Sequence, residues 1–388
     1  MSLELVVDQT NLKDKEDLKP ELHIFSFGNN SLTAKIVEKT TQRGIFKLKY
    51  AMRELGLDES KVLAVYGPAM AITNTPIERE AGFEDGIKLF IGDCLWPYLG
   101  PVCSYGMFYI GSEINFSQLK KKYKNLEKEG VIINSKRFPP GTSHGNHFLE
   151  IRKLKNEKNG FQPGYYAFIH TSFEDAGKGV WEYQKTLNLY EIETPLGKVE
   201  ILDKENAEKF VMKCDEMENL AKKKIALLAE YLFSDPHEIM SSSHKDYFRE
   251  GNFFGVEAGT FNSVKESLSF ISFTKNLPIY LVKGKRNVRR EFWQKNHQKV
   301  KELGLENLLE NVNIMPHGGA ETTDNLPYNV EYHLQGNKLC LKGPNGVKIV
   351  KDPRELNKRF KTPEEVMPYI KKYDMGEAIA VFCPLYKL

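Results

Sequence analysis

Apolar residues in this chain recur with two periods, and the places where the period changes mark out its elements. Ile45, Leu48, Met52 and Leu55 fall at helical spacing and stop at Gly56, a residue suited to a helix C-terminus. The unbroken run Val62-Leu63-Ala64-Val65-Tyr66 predicts a buried strand, and residues 87–110, apolar and rich in aromatics and glycine, predict β structure with several turns. Leu119, Tyr123 and Leu126 predict a short helix ending at Gly130. Strands are expected around Phe148–Ile151 and Tyr165–His170. The clearest helix covers 204–233, where Phe210, Cys214, Met217, Ala221, Ile225, Leu228 and Leu232 form one stripe. Asp203 stands at its start as a cap and Pro236 just past its end. That stripe reads as core. A charged helix is expected over 288–303, stopped by Gly304. Thr362-Pro363-Glu364-Glu365 is a capping box opening a helix that carries Val366, Tyr369 and Ile370. Ala378 to Phe382 predicts the last strand.

Helices and strands are mixed without strict alternation, which predicts an α+β fold (mixed α/β) rather than a doubly wound sheet. No internal repeat, low-complexity stretch or linker-like break appears. The expectation is one compact domain over residues 21–388, with mixed sheets and peripheral helices, behind a charged, aperiodic arm at residues 1–20. A chain of 388 residues, 41% hydrophobic and 28% charged, can bury a large core. No apolar run reaches the length a membrane span needs, so no membrane is expected. Five cysteines, odd in number and with no CxxC pair, point to reduced thiols and a cytoplasmic setting.

A net charge of +3 announces no nucleic-acid binder, but the cations are clumped. Lys283, Lys285, Arg286, Arg289 and Arg290 lie close together, and Arg152, Lys153, Lys155 and Lys158 form a second group. Such clusters suit a polyanion such as RNA, or simply a solvated face.

The common nucleotide, metalloprotease and serine-hydrolase signatures are absent, so any site is assembled from separated segments. Four of the nine histidines stand at the ends of regular elements beside small residues: His147, His170, His244 and His317. His333 and His297 read as solvent-facing, and His23 has no informative context. One such histidine is more often structural than not. Four together predict a site that binds a divalent metal or works on a phosphate. Three imidazoles suffice to hold one divalent ion with an open position.

The segment Gly141-Thr142 to Gly145-Asn146-His147-Phe148-Leu149-Glu150-Ile151 resembles the GTxGxGNHFxEI signature of the RtcB family of RNA-splicing ligases, one residue shorter. Further likenesses follow in that family's order. Phe168-Ile169-His170-Thr171-Ser172 is similar to its IHSGS segment, and His244-Lys245-Asp246-Tyr247 to its histidine-asparagine-tyrosine segment. Ile279 to Asn287 resembles its SYIVRGKGN strand, Pro316-His317-Gly318-Gly319 its SHGAG loop, and Pro384-Leu385-Tyr386-Lys387 its terminal tail.

The resemblance implies a GTP- and manganese-dependent ligase (or one using another divalent metal). It would join an RNA 3′-phosphate or cyclic phosphate to a 5′-hydroxyl through a covalent histidine–GMP. Carried over by position, His317 would be the nucleophile, and His147, His170 and His244 metal ligands, with Cys103 a nearby stand-in for the family's thiolate ligand. Asn146, Glu150, Gly318, Gly319 and Lys387 would meet the nucleotide, and the Lys283–Arg290 cluster the RNA. An activating protein partner is also implied.

The family's aspartate and bridging cysteine fall on Val102 and Tyr105 here. Cys103 lies two residues from Tyr105, on the same strand face, and Asp93-Cys94 is a more distant substitute. Glu321 replaces the arginine after the histidine–glycine loop. Lys178 is the nearest cation where another arginine follows the IHSGS segment. Two alternatives therefore stand beside the ligase: a relative that binds metal, nucleotide or RNA without ligating, and a single-metal phosphoester hydrolase.

Overall fold

The computed structural model of the protein describes residues 24–26, 32–71, 85–98, 102–142, 147–155, 160–243, 245–262, 266–285, 301–302, 306, 314–323, 329–333, 338–343, 346–350, 356, 358–372 and 374–388. The expected arm at 1–20, most of the expected helix at 288–303, His23 and His297 lie outside these residues, as does the side chain of His333.

Among the described residues, the α-helices are α1 (Leu32–Glu54), α2 (Phe116–Glu129), α3 (Glu174–Gln184), α4 (Lys204–Leu232) and α5 (Pro363–Lys372). Two main sheets are built from β1 (Ile24–Ser26), β2 (Val62–Ala71), β3 (Asp85–Ile91), β4 (Val102–Gly111), β5 (Phe148–Leu154) and β6 (Tyr165–Phe173). They are completed by β7 (His237–Ser243), β8 (Lys245–Glu250), β9 (Phe253–Ala258), β10 (Leu268–Ile271), β11 (Ile279–Gly284) and β12 (Gly376–Lys387). One sheet is antiparallel throughout, in the order β7-β4-β6-β5-β12-β11-β10. The other runs β1-β2-β3-β9-β8, with β1 parallel to β2. The mixed α+β class expected from the sequence is the class observed.

The two sheets face each other. Leu63, Val65 and Phe90 of the second sheet share one buried cluster with Tyr105, Met107, Phe148, Phe168 and Phe382 of the first. Alternate residues of the same strands point outward into a second cluster. There Ala64 and Leu89 meet Ile36 and Leu48 of α1, while Phe108, Leu149 and Ala167 meet Phe210, Ile225 and Leu228 of α4. The order of layers is helix, sheet, sheet, helix, so strands such as β5 and β6 are buried on both faces. Gly106 lets α4 approach closely, since a Cβ there would sit 2.4 Å from Ile225 Cγ2.

Local signals set the helix ends. Asp203 accepts a hydrogen bond from Asn206 N at 2.9 Å, capping α4 where the pattern placed its start. Glu365 accepts from Thr362 N at 2.9 Å, the reciprocal half of the expected capping box. Arg359 grips the same carboxylate with two nitrogens at 2.7 Å, and this pairing pulls the Glu365 pKa down to about 2. The last strand is longer than its apolar pattern, running to Lys387 past an irregularity between Pro384 and Tyr386.

Candidate metal centre and the histidine loop

Register across three strands assembles the site. Tyr105 of β4 lies opposite His170 of β6, and His170 lies opposite Phe148 of β5, so one row of side chains crosses the sheet on its inner face. Cys103, two residues before Tyr105, projects from that same face, as its spacing predicted. His147 immediately precedes β5. Its Nε2 lies 3.4 Å from Cys103 Sγ, and its ring centroid 4.7 Å from that of His170. The donor atoms of Cys103, His147 and His170 all lie within 4.8 Å of one another, so these three can hold a metal ion. His244, expected as a further ligand, and Asn146 lie outside the described residues.

Tyr105 stands where the resemblance implies a thiolate. Its ring is fully buried and stacks on His170, centroids 4.1 Å apart and planes within 8°. It also meets Phe270 edge-on at 5.1 Å. A face-to-face stack fixes the imidazole plane without using its nitrogen lone pairs, which lie at the ring edge. The more distant substitute does not join the cluster. Asp93 pairs with Lys61 at 3.2 Å and Lys204 at 3.3 Å. Cys94 sits in the core, where burial and the charge of Asp93 push its thiol up to about 12.

The donor set itself tests the ion. One thiolate and two imidazoles suit soft or borderline ions, whereas manganese favours carboxylate and water oxygens. No Asp or Glu joins the cluster among the described residues.

Behind the centre, the turn leading toward His147 is tied down from three sides. Ser172 N donates to Gly141 O at 3.1 Å, Thr171 Oγ1 donates to Pro140 O at 2.6 Å, and Tyr123 OH meets Thr142 Oγ1 at 2.7 Å. Lys224, from the middle of α4, donates to Thr171 Oγ1 at 3.1 Å and Ser172 O at 3.0 Å. Gly141 has φ +71, and a Cβ on it would lie 2.6 Å from Ser172 O. Gly141→Ala is therefore expected to cost about 2 kcal/mol, from left-handed strain plus the displaced turn. A urea titration reads that loss, and a cobalt titration of the same variant should show weakened metal binding because His147 is mispositioned.

Burial holds the Lys224 pKa down at about 8 despite the pull of Asp175, Cys103 and Glu174, and burial does the same for Lys361. Both would sit at 10.5 in the unfolded chain, so between about 8 and 10.5 unfolding takes up protons and stability rises with pH. Cys94 works the other way from 9.0 upward, because its thiol ionises first in the unfolded chain. The urea midpoint should therefore climb between pH 8 and 9. In Lys224→Met, which keeps the volume and removes the charge, roughly half of that climb should disappear.

His317 follows a short strand, Ile314–Pro316, that pairs with Thr260–Asn262. Its carbonyl accepts from Ser272 N at 3.2 Å, and Gly319 N donates to Ser272 O at 2.8 Å. Cβ atoms on Gly318 and Gly319 would lie 2.9 Å from Ser272 O and 2.6 Å from Lys361 O, so both glycines permit close backbone approach within the protein itself. His317 Nδ1 lies 2.7 Å from Gly259 O. A carbonyl only accepts, so Nδ1 carries the proton and the lone pair of the neutral ring is on Nε2. The ring centroid is 5.9 Å from that of Tyr105 and 6.4 Å from that of His170. The structure thus places the expected nucleophile beside the expected ligands. Glu321, in place of the arginine, pairs with Lys358 at 3.2 Å.

Glu150 and Lys387, both expected near a nucleotide, are cross-strand partners, with Lys387 Nζ 3.9 Å from Glu150 Oε1. Glu150 is buried and bound by Arg152, whose Nε donates to it at 2.9 Å and whose Nη1 donates to Leu277 O. Arg152, grouped in the sequence with surface cations that suit RNA, is instead fully buried. It lies on the inner face of a strand covered on both sides. A second buried ionic group was not foreseen. Lys88 pairs with Glu257 at 3.9 Å and Glu250 at 3.8 Å, and lies 4.4 Å from the Phe248 ring centroid. Its only sequence trace is a lysine and a glutamate inside otherwise apolar strands.

Of the proposed RNA contacts, Lys283 is paired with Glu266, and Lys285 with Glu377 at 3.0 Å. Arg286, Arg289 and Arg290 lie outside the described residues. No helix among the described residues is long and apolar enough to cross a membrane. The chain matches no protein-family model and no curated protein. Its likeness to RNA-splicing ligases therefore rests on the short segments quoted above.

Proposed function

We propose that this protein is an RNA ligase that works through His317. In the reaction that the resemblance implies, His317 Nε2 attacks the α-phosphorus of GTP, a P–N bond forms and pyrophosphate leaves. The guanylate then passes to an RNA 3′-phosphate, and the 5′-hydroxyl of a second end attacks that phosphorus and releases GMP. Atoms balance without redox chemistry.

The observation that carries this reading is the hydrogen bond from His317 Nδ1 to Gly259 O at 2.7 Å. It presets the tautomer a phosphorus nucleophile needs and fixes the ring plane beside His170. Lys387 supplies a cation next to Glu150 on the inner face of the same sheet. A divalent ion on Cys103, His147 and His170 would add positive charge close by. The substrate is RNA with 3′-phosphate and 5′-hydroxyl ends, met by the Lys283–Arg290 segment once Glu266 and Glu377 are displaced. The reading includes a cytoplasmic setting and an activating protein partner.

Incubation with labelled GTP and a divalent ion tests it. An acid-labile, alkali-stable adduct that maps to His317 supports ligation. A second reading, single-metal phosphoester hydrolysis, is favoured by the three-donor cluster, which leaves a tetrahedral ion one open position. Metal-dependent cleavage of a phosphodiester without any adduct would select it. RNA binding with neither activity would leave a non-ligating relative.

A further inference from the structure

We infer that Cys103, His147 and His170 form a single-ion centre selective for a zinc-class ion, in place of the manganese that the resemblance implies. The inference concerns the metal centre alone and stands whether or not His317 accepts guanylate.

Geometry comes first. Metal–sulfur and metal–nitrogen bonds of about 2.3 and 2.05 Å in a tetrahedron put S and N about 3.5 Å apart. Cys103 Sγ and His147 Nε2 are 3.4 Å apart, already at that edge length. All three donors lie within 4.8 Å of one another, so closing the set requires only about an ångström of movement. Two of the donors, Cys103 and His170, sit on paired central strands, and the Tyr105 ring stacks on His170 at 4.1 Å.

Chemistry then selects the ion. Thiolate and imidazole donors discriminate strongly for zinc over manganese, which stands at the weak end of the divalent series. Among the described residues, the two carboxylates expected near the site are engaged elsewhere. Asp93 is held by Lys61 and Lys204, and Glu150 by Arg152. Val102 offers no donor. Tyr105 bars a bridged pair of ions, because its ring fills the inner face beside His170 where a second thiolate would project.

The test uses the full chain, stripped of metal by a chelator. Titrated cobalt should give one equivalent of binding, the visible bands of a tetrahedral ion and a thiolate-to-cobalt charge-transfer band in the near ultraviolet. Zinc should abolish these bands, while a large excess of manganese should not. Cys103→Ser should lose the charge-transfer band, and zinc affinity should drop by about two orders of magnitude. Should that variant fail to fold, alkylation of the unaltered chain followed by mass mapping serves instead. Zinc, and not manganese, should protect Cys103.

Two ions per chain, manganese binding within about tenfold of zinc, a charge-transfer band that persists in Cys103→Ser, or equal protection by both ions would overturn the inference. A chain that binds zinc this way yet forms no guanylate adduct removes the ligase reading alone. An adduct formed without thiolate ligation removes this inference alone.

Discussion

With His317 replaced by alanine, labelled GTP should leave no covalent mark on the chain, and the proposed RNA joining should fall by about 10⁴-fold or more. The expected effect is this large because, in the proposed reaction, the imidazole forms the bond to phosphorus and, among the described residues, no neighbour is placed to replace it. Tyr105 is buried against His170, and His170 belongs to the metal cluster. The loss should not come from unfolding. His317 is only half-buried, and its side-chain hydrogen bond to Gly259 O contributes about 1 kcal/mol. Circular dichroism and the urea midpoint of His317→Ala should therefore stay close to those of the unaltered chain. An adduct that survives in His317→Ala at full yield would sink the assignment.

Arg152→Ala should be among the most destabilising single substitutions in the molecule, costing about 3–5 kcal/mol. A typical domain has only about 5–15 kcal/mol in total. Arg152 is fully buried, and it neutralises the buried carboxylate of Glu150 while satisfying the carbonyl of Leu277. Without the guanidinium, Glu150 keeps only Lys387 at 3.9 Å, near the water boundary. The penalty is that of an uncompensated buried charge, not the net worth of the pair. The double variant Glu150→Gln with Arg152→Met should accordingly recover most of the loss. A double-mutant cycle on urea midpoints measures this coupling. A single-variant loss under about 1 kcal/mol would mean that water reaches the pair. Because Glu150 lies two residues past Phe148, about 7 Å along β5 from the His170 row, the same variant should also perturb the metal centre.

The two expected changes separate what local pattern reveals from what it hides. The stripe from Phe210 to Leu232 with Asp203 before it, and the box from Thr362 to Glu365, were legible because helix caps and periodicity act within a few residues. Strands β5 and β6 were legible as strands for the same reason. Which of their faces meets solvent was not legible. Glu150 and Arg152 alternate with apolar residues as an exposed face would, yet both are buried on the inner face of the sheet.

The candidate site divides in the same way. His147, His170 and His317 stood out because each sits beside small residues at an element end, a feature visible in one dimension. Cys103 was a spacing argument that β4 confirms, since residues two apart share a face. That Tyr105 lies flat on His170, that Lys224 reaches from α4 to Thr171 and Ser172 at the end of β6, and that Gly259 sets the tautomer of His317 had no sequence signal. Each contact joins segments tens of residues apart.

By itself, the sequence determined the main capped helices, several central strands, the mixed class and a set of polar residues able to do chemistry. Short-range sterics, capping and hydrophobic periodicity need no partner from elsewhere in the chain. The tertiary structure alone decided which donors meet and which charges are buried. Those properties depend on strand register and on the closing of one sheet over another, and both are set by the whole core at once.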